Sequence, residues 1–338
     1  MLQVAHTIDE LNGITSGNVD ENILYSKTPI VLRGFCKEWP LVEQGLKSDE
    51  TAADYLMQHY SGEPVHASYG APENNGRIFY NQDISEFNFA RSKIHLGQLF
   101  ATIFEHKTSA NPPTAYVAST DAKRWFPDLL TANSCAIPNA NPIVSFWIGN
   151  QSRIAAHYDF PTNVACNVVG RRRFTLFPPD QISNLYPGPI EFAPGGQEIS
   201  MVDFAEPDFQ KYPKFRNALA NAQITELAPG DALIIPSMWW HHVEALSTLN
   251  VLITHWWRDT PAYMGKPNNA LLAAILSLRS LPKEQRDAWK HIFDHYIFDA
   301  ELDDHKQIPD SAKDILSLPI DELAARKLRA DILNKYKR

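Results

Sequence analysis

The sequence predicts a mainly β protein whose central region, from about residue 113 to residue 260, forms an all-β barrel or sandwich. Closely spaced segments rich in β-branched and aromatic residues fill this region, and clusters of Pro, Gly and Asn separate them. The chain also has 24 Pro against 15 Gly, which indicates many turns and short strands rather than a helical array. The clearest predicted strands are 115–118, 143–148, 163–169, 172–177, 232–235 and 250–257.

Helical patterns lie on both sides of this β region. In these segments the apolar residues recur near a period of 3.6, and a short strand at 28–33 precedes the first of them. The predicted helices are 48–60 and 94–106 before the β region and 269–281, 282–298 and 321–337 after it. The C-terminal appendage is either a local packing element or a dimerisation module, because amphipathic spacing alone favours neither.

The composition is that of an ordinary globular enzyme with a sizeable core. Of 338 residues, 44% are apolar, 11% are aromatic and 21% are charged, and the net charge is −8. A negative net charge offers no field for non-specific binding to nucleic acid, although it leaves a specific RNA substrate open. Cys36, Cys135 and Cys166 are too few and too scattered for a disulfide framework, which indicates a reducing compartment. With neither a signal-like N-terminus nor an apolar run of ~18 residues, we expect a soluble, cytoplasmic protein.

The most informative motif is the triplet His157-Tyr158-Asp159, followed by His241 in the tryptophan-containing run 236–243. A chain of this composition contains about 1.4 His-x-Asp/Glu triplets by chance, so the triplet alone carries little information. On a strand, however, His157 and Asp159 point to the same side, and a barrel can bring His241 on a distant strand to face them. Two imidazoles and one carboxylate without a nearby thiolate are the ligand set of a non-haem Fe(II) centre with open coordination positions.

Further motifs occur in a fixed order around this triad. They are Arg33-Gly-Phe, Glu38-Trp-Pro40, Gly170-Arg-Arg-Arg-Phe-Thr-Leu-Phe-Pro-Pro-Asp-Gln181, Val202-Asp-Phe, Pro207-Asp-Phe, Tyr212-Pro-Lys-Phe, Pro229-Gly-Asp-Ala-Leu-Ile-Ile-Pro236 and Trp239-Trp-His-His-Val-Glu244. Over roughly residues 25–260, this series resembles the JmjC/cupin-like Fe(II)- and 2-oxoglutarate-dependent oxygenases. Within that family it is most similar to the asparaginyl hydroxylase that acts on hypoxia-inducible factor.

The resemblance implies a fold and a domain organisation. The fold is a double-stranded β-helix (jelly-roll/cupin) core with flanking N-terminal helices and a C-terminal helical appendage. The oxygenase domain then covers residues 1–260, with its barrel core at about 113–260. Residues 261–338 resemble, more loosely, the dimerising helices of that hydroxylase, so the expected partner is a second copy of the chain.

The resemblance also assigns roles to single residues. His157, Asp159 and His241 correspond to the catalytic metal ligands, and His242 then has a supporting or structural role. The residues that correspond to co-substrate contacts are Tyr116, Asn163, Arg172 and His255, and Trp257 corresponds to an aromatic residue on the substrate side of the pocket. Without the resemblance, Tyr116, Trp257 and His255 would be interpreted as core residues. Cys166 has the opposite parity to His157 and is assigned no role.

Two positions depart from the family pattern. Arg172 replaces the lysine that pairs with the distal carboxylate of 2-oxoglutarate, and Ile154 replaces a threonine that assists it. An arginine can form a bidentate pair with a carboxylate, so Arg172 preserves the chemistry, while Ile154 removes one donor. Strand alternation favours an inward Arg172 together with Phe174 and Leu176. The alternative is a solvated charge within the run Arg171-Arg172-Arg173.

The predicted cofactors are Fe(II), 2-oxoglutarate as co-substrate and O2, and the predicted reaction is hydroxylation of a C–H bond with release of succinate and CO2. The resemblance favours a protein side chain as substrate. An RNA-modifying hydroxylase is an alternative, because cupin-like relatives act on tRNA. A non-catalytic cupin-fold module that binds a metal or a small acid is another, and an interaction protein that acts through its C-terminal helices is a third.

Overall fold

The computed structural model describes residue 4 and residues 6–138, 140–301 and 304–337. The chain divides into two compact units, residues 1–258 and residues 259–338. The first unit contains two β-sheets with helices, and the second unit is helical.

The strands of the first unit form a six-stranded sheet and a nine-stranded sheet. In chain order they are β1 (His6–Thr7), β2 (Asp9–Asn12), β3 (Ile30–Arg33), β4 (Val65–Gly70), β5 (Arg77–Ile78), β6 (Phe89–Ile94), β7 (Thr114–Asp121), β8 (Ile143–Gly149), β9 (Ser152–His157), β10 (Thr162–Val169), β11 (Arg172–Phe177), β12 (Gln223–Leu227), β13 (Ala232–Ile235), β14 (Trp240–Ala245) and β15 (Asn250–Trp257). The six-stranded sheet has the order β1-β12-β11-β14-β9-β5, and the nine-stranded sheet has the order β2-β3-β13-β10-β15-β8-β7-β4-β6.

An apolar cluster fills the space between the two sheets. Phe174 and Val243 of the six-stranded sheet contribute to it together with Ala165, Leu233 and Leu252 of the nine-stranded sheet. Two sheets of mostly antiparallel strands that share such a core form a jelly roll. The predicted mainly β fold, with a jelly-roll core and flanking helices, is therefore confirmed.

Strand β10 lies inside the nine-stranded sheet and is buried on both faces. Ala165 belongs to the cluster between the sheets, whereas its neighbours Val164 and Cys166 belong to a larger cluster on the opposite face. Helical residues such as Leu56 and Leu99 complete this larger cluster. Because successive side chains of a strand point to opposite faces, β10 separates a cavity side from a helix side.

The first unit contains six α-helices within the part of the chain that the structure describes. They are α1 (Glu21–Leu24), α2 (Pro40–Lys47), α3 (Asp49–Gln58), α4 (Leu96–Glu105), α5 (Ala122–Trp125) and α6 (Phe215–Ala220). Helix α3 begins at a capping box, in which the Ser48 side chain accepts from the Thr51 amide and the Thr51 side chain accepts from the Ser48 amide. Helices α3 and α4 lie where the apolar period predicts them, while α2 was not predicted.

The sequence patterns also missed several strands, among them β4 and β6. Strand β6 lies at the edge of its sheet, and four consecutive residues between Phe89 and Ile94 are exposed. Charged side chains such as Arg91 and Lys93 are typical of an edge strand, because they oppose pairing with another chain. A strand of this kind has no apolar alternation, so pattern analysis does not detect it.

The second unit contains α7 (Pro267–Leu278), α8 (Lys283–Phe293), α9 (Asp310–Lys313) and α10 (Glu322–Tyr336). A π-helical turn, Asp294–Phe298, continues α8, so the predicted helix 282–298 is two joined elements. The Tyr263 hydroxyl donates to the Ile320 carbonyl at 2.7 Å and connects the start of the unit to the start of α10. Helices α7 and α8 contain no buried residue.

None of the helices that the structure describes combines the length and the apolar composition that crossing a membrane requires.

Candidate metal centre and adjoining cavities

His157, Asp159 and His241 converge at one end of the space between the sheets. His157 is the last residue of β9, and His241 lies opposite it on the antiparallel strand β14. The two imidazole rings are 4.3 Å apart between centroids, and His241 Nε2 is 3.7 Å from Asp159 Oδ2. One ligand atom from each of the three residues lies within 4.8 Å of the others. Asp159 belongs to the loop after β9, which corrects the expectation that it shares a strand with His157.

Main-chain hydrogen bonds orient both imidazoles. His157 Nδ1 is 2.9 Å from the Ala155 carbonyl oxygen, and His241 Nδ1 is 3.0 Å from the Trp239 carbonyl oxygen. Because a carbonyl only accepts, each Nδ1 carries the proton and each Nε2 keeps its lone pair for a metal. Burial, followed by the neighbouring His157, holds the pKa of His241 well below its usual value, which favours the neutral form.

A bulge in the pairing of β9 with β14 lets two residues of β9 that would otherwise point to opposite faces line the same cavity. His157 lies opposite His241, but Ile154 lies opposite Val243, so three residues of β9 span the distance of two in β14. An extra residue of this kind rotates the strand locally. As a result, both Ile154 and His157 line the space in front of the metal ligands.

The Asp159 carboxylate has a partner that sequence reasoning missed. Gln197 Nε2 donates to Asp159 Oδ1 at 2.7 Å, which leaves Oδ2 on the side of His241. Gln197 lies in the loop between β11 and β12, and no sequence motif marks it. Its amide orients the carboxylate in the way that outer partners orient metal ligands.

Replacing Gln197 by Leu should therefore weaken metal binding by ~10- to 100-fold, because the carboxylate loses the donor that orients it. Titration of the protein with Fe(II) in the absence of oxygen measures this change. The exposed Gln210 is a matched control, since Gln210→Leu removes the same amide far from the carboxylate. Equal metal affinity in the two variants would contradict the role of Gln197.

A small inner cavity of about 40 Å³ adjoins the three ligands between the sheets. Arg172 projects into it from β11 and is only 3% exposed. Among the described residues, Arg172 takes part in no ion pair, and its Nε has no hydrogen-bond partner. Burial lowers the pKa of Arg172 to about 10 and raises the pKa of the neighbouring Tyr116. A buried cation without a carboxylate partner indicates a site for an anion.

Other residues predicted to contact the co-substrate also reach this inner cavity. Tyr116 and Asn163 line it, and Asn163 Oδ1 is buried without a hydrogen-bond partner among the described residues. Phe174 lies beside Arg172 on the same face of β11, and Leu176 is buried on that face too. Ile154 forms part of the wall, so an apolar side chain stands where the family pattern has a hydroxyl.

The structure does not bring His255 or Trp257 to the inner cavity. Asn163 lies opposite Trp256 in the β10–β15 pair, and Val164 lies opposite His255. Residues directly opposite in an antiparallel pair point to the same face, so His255 and Trp257 point to the helix side of the sheet. The residues that line the cavity are each one position earlier in the chain, so the pocket roles expected for His255 and Trp257 are wrong.

Thr254 and Trp256 line the inner cavity in their place. The Trp147 indole donates to the Thr254 hydroxyl at 3.0 Å and orients it. Trp257 instead packs edge-on against Tyr25 in the core on the other face. Trp256 lies opposite Asn163, so Trp256 and Thr254, two residues before it, face the cavity. Alignment of β15 with Asn163 is the signal that could have found both residues from the sequence.

His242 has a structural environment. It points away from the ligands, its ring lies 4.5 Å from the ring of Phe204, and it is only 5% exposed. Burial lowers the pKa of His242 to about 3, so the ring is neutral.

An outer cleft of about 500 Å³ opens in front of the metal ligands. The residues that it shares with the inner cavity are Tyr116, Trp147, Ile154, His157, Asp159 and Trp256. The residues that line only the outer cleft are mainly small or apolar and include His66, Ser68, Phe89, Arg91, Pro194 and Ile199. The site thus has a small charged compartment behind the ligands and a wide compartment in front of them.

Comparison with known proteins gives the following matches. The model of the cupin-like domain family matches residues 16–263. A lysine-specific demethylase, JMJ31 of Arabidopsis thaliana, is 34% identical over 279 residues, covering 73% of this chain and 49% of the relative. Jumonji C domain-containing protein 5 of Drosophila melanogaster is 26% identical over 239 residues, covering 68% of this chain and 54% of the relative. Human HSPB1-associated protein 1 is 31% identical over 150 residues, covering 43% of this chain and 30% of the relative. The chain therefore spans about half or less of the length of these relatives.

Proposed function

Because the chain belongs to the cupin-like family that includes JmjC-domain proteins, we propose that it is an Fe(II)- and 2-oxoglutarate-dependent oxygenase. Members of this family are typically oxygenases or demethylases that use iron and 2-oxoglutarate. The observation that carries the proposal is a cluster of two histidines and one carboxylate with the buried Arg172 beside it, which forms no ion pair within the described part of the chain. Three metal-binding residues alone are compatible with many functions, but the buried guanidinium beside them also indicates a binding site for an anion.

The residues present fit iron. His157 and His241 offer Nε2 atoms, since their Nδ1 atoms bond the main chain, and Asp159 offers Oδ2. Two nitrogens and one carboxylate oxygen on one side of a metal leave its other positions open. When bound, Fe(II) with 2-oxoglutarate and O2 supplies the oxidation of a C–H bond, with succinate and CO2 as the other products. The protein contributes the orientation of the reactants and the exclusion of water.

The side chains that line the inner cavity suit the distal carboxylate of a small dicarboxylate. The Arg172 guanidinium can pair with the distal carboxylate through two parallel hydrogen bonds, and the Tyr116 hydroxyl lies on the same side. Asn163 and Thr254 add polar groups to the wall of the same cavity. Aromatic and aliphatic side chains close the remaining wall, which strengthens the charge pairing by keeping water out.

The outer cleft supports a protein side chain as substrate. Its lining is largely apolar, and Arg91 is the single Lys or Arg among the described residues that line it. A nucleic acid would require several phosphate contacts, and the net charge of −8 opposes its approach. The resemblance of the sequence motifs to an asparaginyl hydroxylase suggests an unmodified side chain, whereas the match to the lysine-specific demethylase of Arabidopsis thaliana suggests a methylated lysine.

Measurement of succinate formation with pools of peptides and of RNA tests this function. Mass spectrometry of the products then separates the alternatives. A hydroxylated side chain gains one oxygen atom, and a hydroxylated N-methyl group is lost as formaldehyde, so the lysine loses mass. Failure to form succinate from Fe(II) and 2-oxoglutarate with every pool would contradict an oxygenase and favour a non-catalytic binding module.

We also propose that residues 259–338 form a homodimer contact. Helices α7 and α8 have no buried residue, yet they expose large apolar side chains. The exposed group includes Leu271, Leu276, Trp289, Ile292, Tyr296 and Phe298, of which Leu276 and Phe298 are each 72% exposed. Apolar helix faces of this extent are typical of an interface with another chain.

Deleting the residues after 262 should convert a dimer into a monomer, as measured by sedimentation velocity. A truncated chain that remains dimeric would contradict the proposal. Succinate formation by the truncated chain serves as the check that the first unit remains folded.

A further inference from the structure

All three cysteines of the chain meet at one buried place with His255. Cys36 follows β3, Cys135 lies in the loop before β8, Cys166 is in β10, and His255 is in β15. The sulfurs of Cys135 and Cys166 and one ring nitrogen of His255 lie within 4.8 Å of one another. Four separate segments thus bring thiols and an imidazole together on the helix side of the nine-stranded sheet, away from the proposed iron site.

The immediate surroundings give this cluster the properties of a ligand set. Cys135, Cys166 and His255 are 5%, 0% and 0% exposed. The thiols of Cys135 and Cys166 interact directly with each other, and His255 lies beside them. Thiols and an imidazole nitrogen are the ligands that zinc prefers in buried structural sites. Cys36 interacts directly with Cys166, and its sulfur donates to the Gly230 carbonyl at 3.3 Å.

A second observation concerns the ring of His255. Its Nε2 lies 2.9 Å from the Ser134 hydroxyl and 3.3 Å from the Cys135 amide. Its Nδ1 is buried and has no hydrogen-bond partner among the described residues. Because Nε2 accepts from the Cys135 amide, the proton of the neutral ring lies on Nδ1, where a buried N–H without a partner costs about 1–3 kcal/mol. A metal bound at Nδ1 would remove that cost, with the ring proton moved to Nε2 beside the Ser134 hydroxyl.

We propose that this cluster is a zinc site, with Cys135, Cys166 and His255 as ligands and Cys36 beside them for the fourth position. Zinc binds thiolates at ~2.3 Å and imidazole nitrogen at ~2.0 Å, which places the ligand atoms ~3.7 Å apart. The present separations of up to 4.8 Å therefore require a closure of about 1 Å on binding.

Charge balance also favours zinc at this place. Two thiolates and a neutral imidazole around Zn²⁺ carry no net charge, and a Cys36 thiolate in the fourth position would bring the site to a net charge of −1. Binding releases one proton for each thiol that coordinates the metal and involves no oxidation. A disulfide between Cys135 and Cys166 would leave His255 unused. The metal would tie the loop before β8 to the sheet and to the segment after β3.

The test is the zinc content of the purified full-length chain, measured by inductively coupled plasma mass spectrometry. We expect about one zinc per chain in the wild type, an unchanged value in Asp159→Ala, and loss of zinc in Cys135→Ala. The Asp159→Ala variant serves as the control because it disrupts the iron site alone. Zinc that disappears in Asp159→Ala but persists in Cys135→Ala would overturn the proposal, as would a wild-type chain without zinc.

X-ray absorption at the zinc edge of the wild type keeps the test valid if Cys135→Ala fails to fold. We expect a shell of sulfur at ~2.3 Å together with nitrogen at ~2.0 Å. A shell of nitrogen and oxygen alone would overturn the proposal. An intact mass two hydrogens lower than the reduced chain would also overturn it, because that mass indicates a disulfide.

Discussion

An Asp159→Ala variant should lose 2-oxoglutarate turnover almost completely. The substitution removes one of the three ligands, and the two remaining imidazoles lie 4.3 Å apart without the carboxylate that completes their side of the metal. Loss of an outer partner of a metal ligand costs ~10- to 100-fold, so loss of the ligand itself should exceed ~100-fold. The measurements are succinate formation and the iron content of the protein.

The matched control for this variant is Asp128→Ala. Asp128 is an exposed carboxylate outside both cavities, so its removal should change neither iron content nor turnover. If Asp159→Ala keeps more than a tenth of the turnover of the wild type, the proposed ligand set is wrong. A parallel loss in both variants would point to a general effect on folding.

Replacing Arg172 by Met should weaken the binding of 2-oxoglutarate and stabilise the protein in its absence. The KM for 2-oxoglutarate should rise by ~30-fold or more, because removing one partner of a buried charge pair costs about 2 kcal/mol or more. The melting temperature measured without 2-oxoglutarate should rise as well. In that state Arg172 is a buried cation that forms no ion pair with any residue the structure describes, and an apolar side chain of similar length removes its desolvation cost.

The neighbouring Arg171 is a matched control for this pair of effects. Its side chain is 64% exposed and pairs with Glu226, so Arg171→Met should change neither the KM nor the melting temperature appreciably. A KM that rises equally in both variants would show that overall charge, rather than the inner cavity, attracts 2-oxoglutarate. A lower melting temperature for Arg172→Met would show that the protein itself satisfies the buried cation.

Ile154→Thr tests the same cavity in the other direction. A hydroxyl at this position adds a donor to the wall near Arg172, and one hydrogen bond contributes about 1 kcal/mol. We therefore expect the KM for 2-oxoglutarate to fall about 5-fold in this variant. An unchanged KM would show that the co-substrate does not reach the wall at Ile154.

The sequence predicts the inward-facing residues of β11 correctly, but it does not predict those of β15. Arg172, Phe174 and Leu176 alternate with residues of the opposite face, so their inward direction follows from the period of a strand. The roles expected for His255 and Trp257 required the register of β15 against β10, and a shift of one residue exchanges the two faces. Thr254 and Trp256 were missed for that reason alone.

The sequence by itself determined the mainly β class, the positions of most core strands and the presence of a His-x-Asp…His motif within an ordered series of motifs. These features depend on local periodicity and spacing, which a single chain displays directly. Only the tertiary structure decided which side chains face the cavity. The bulge between β9 and β14 brings Ile154 and His157 to one side, and Gln197 reaches Asp159 from a distant loop. The cluster of cysteines with His255 likewise arises from four segments that are far apart along the chain, because sheet pairing sets their separation.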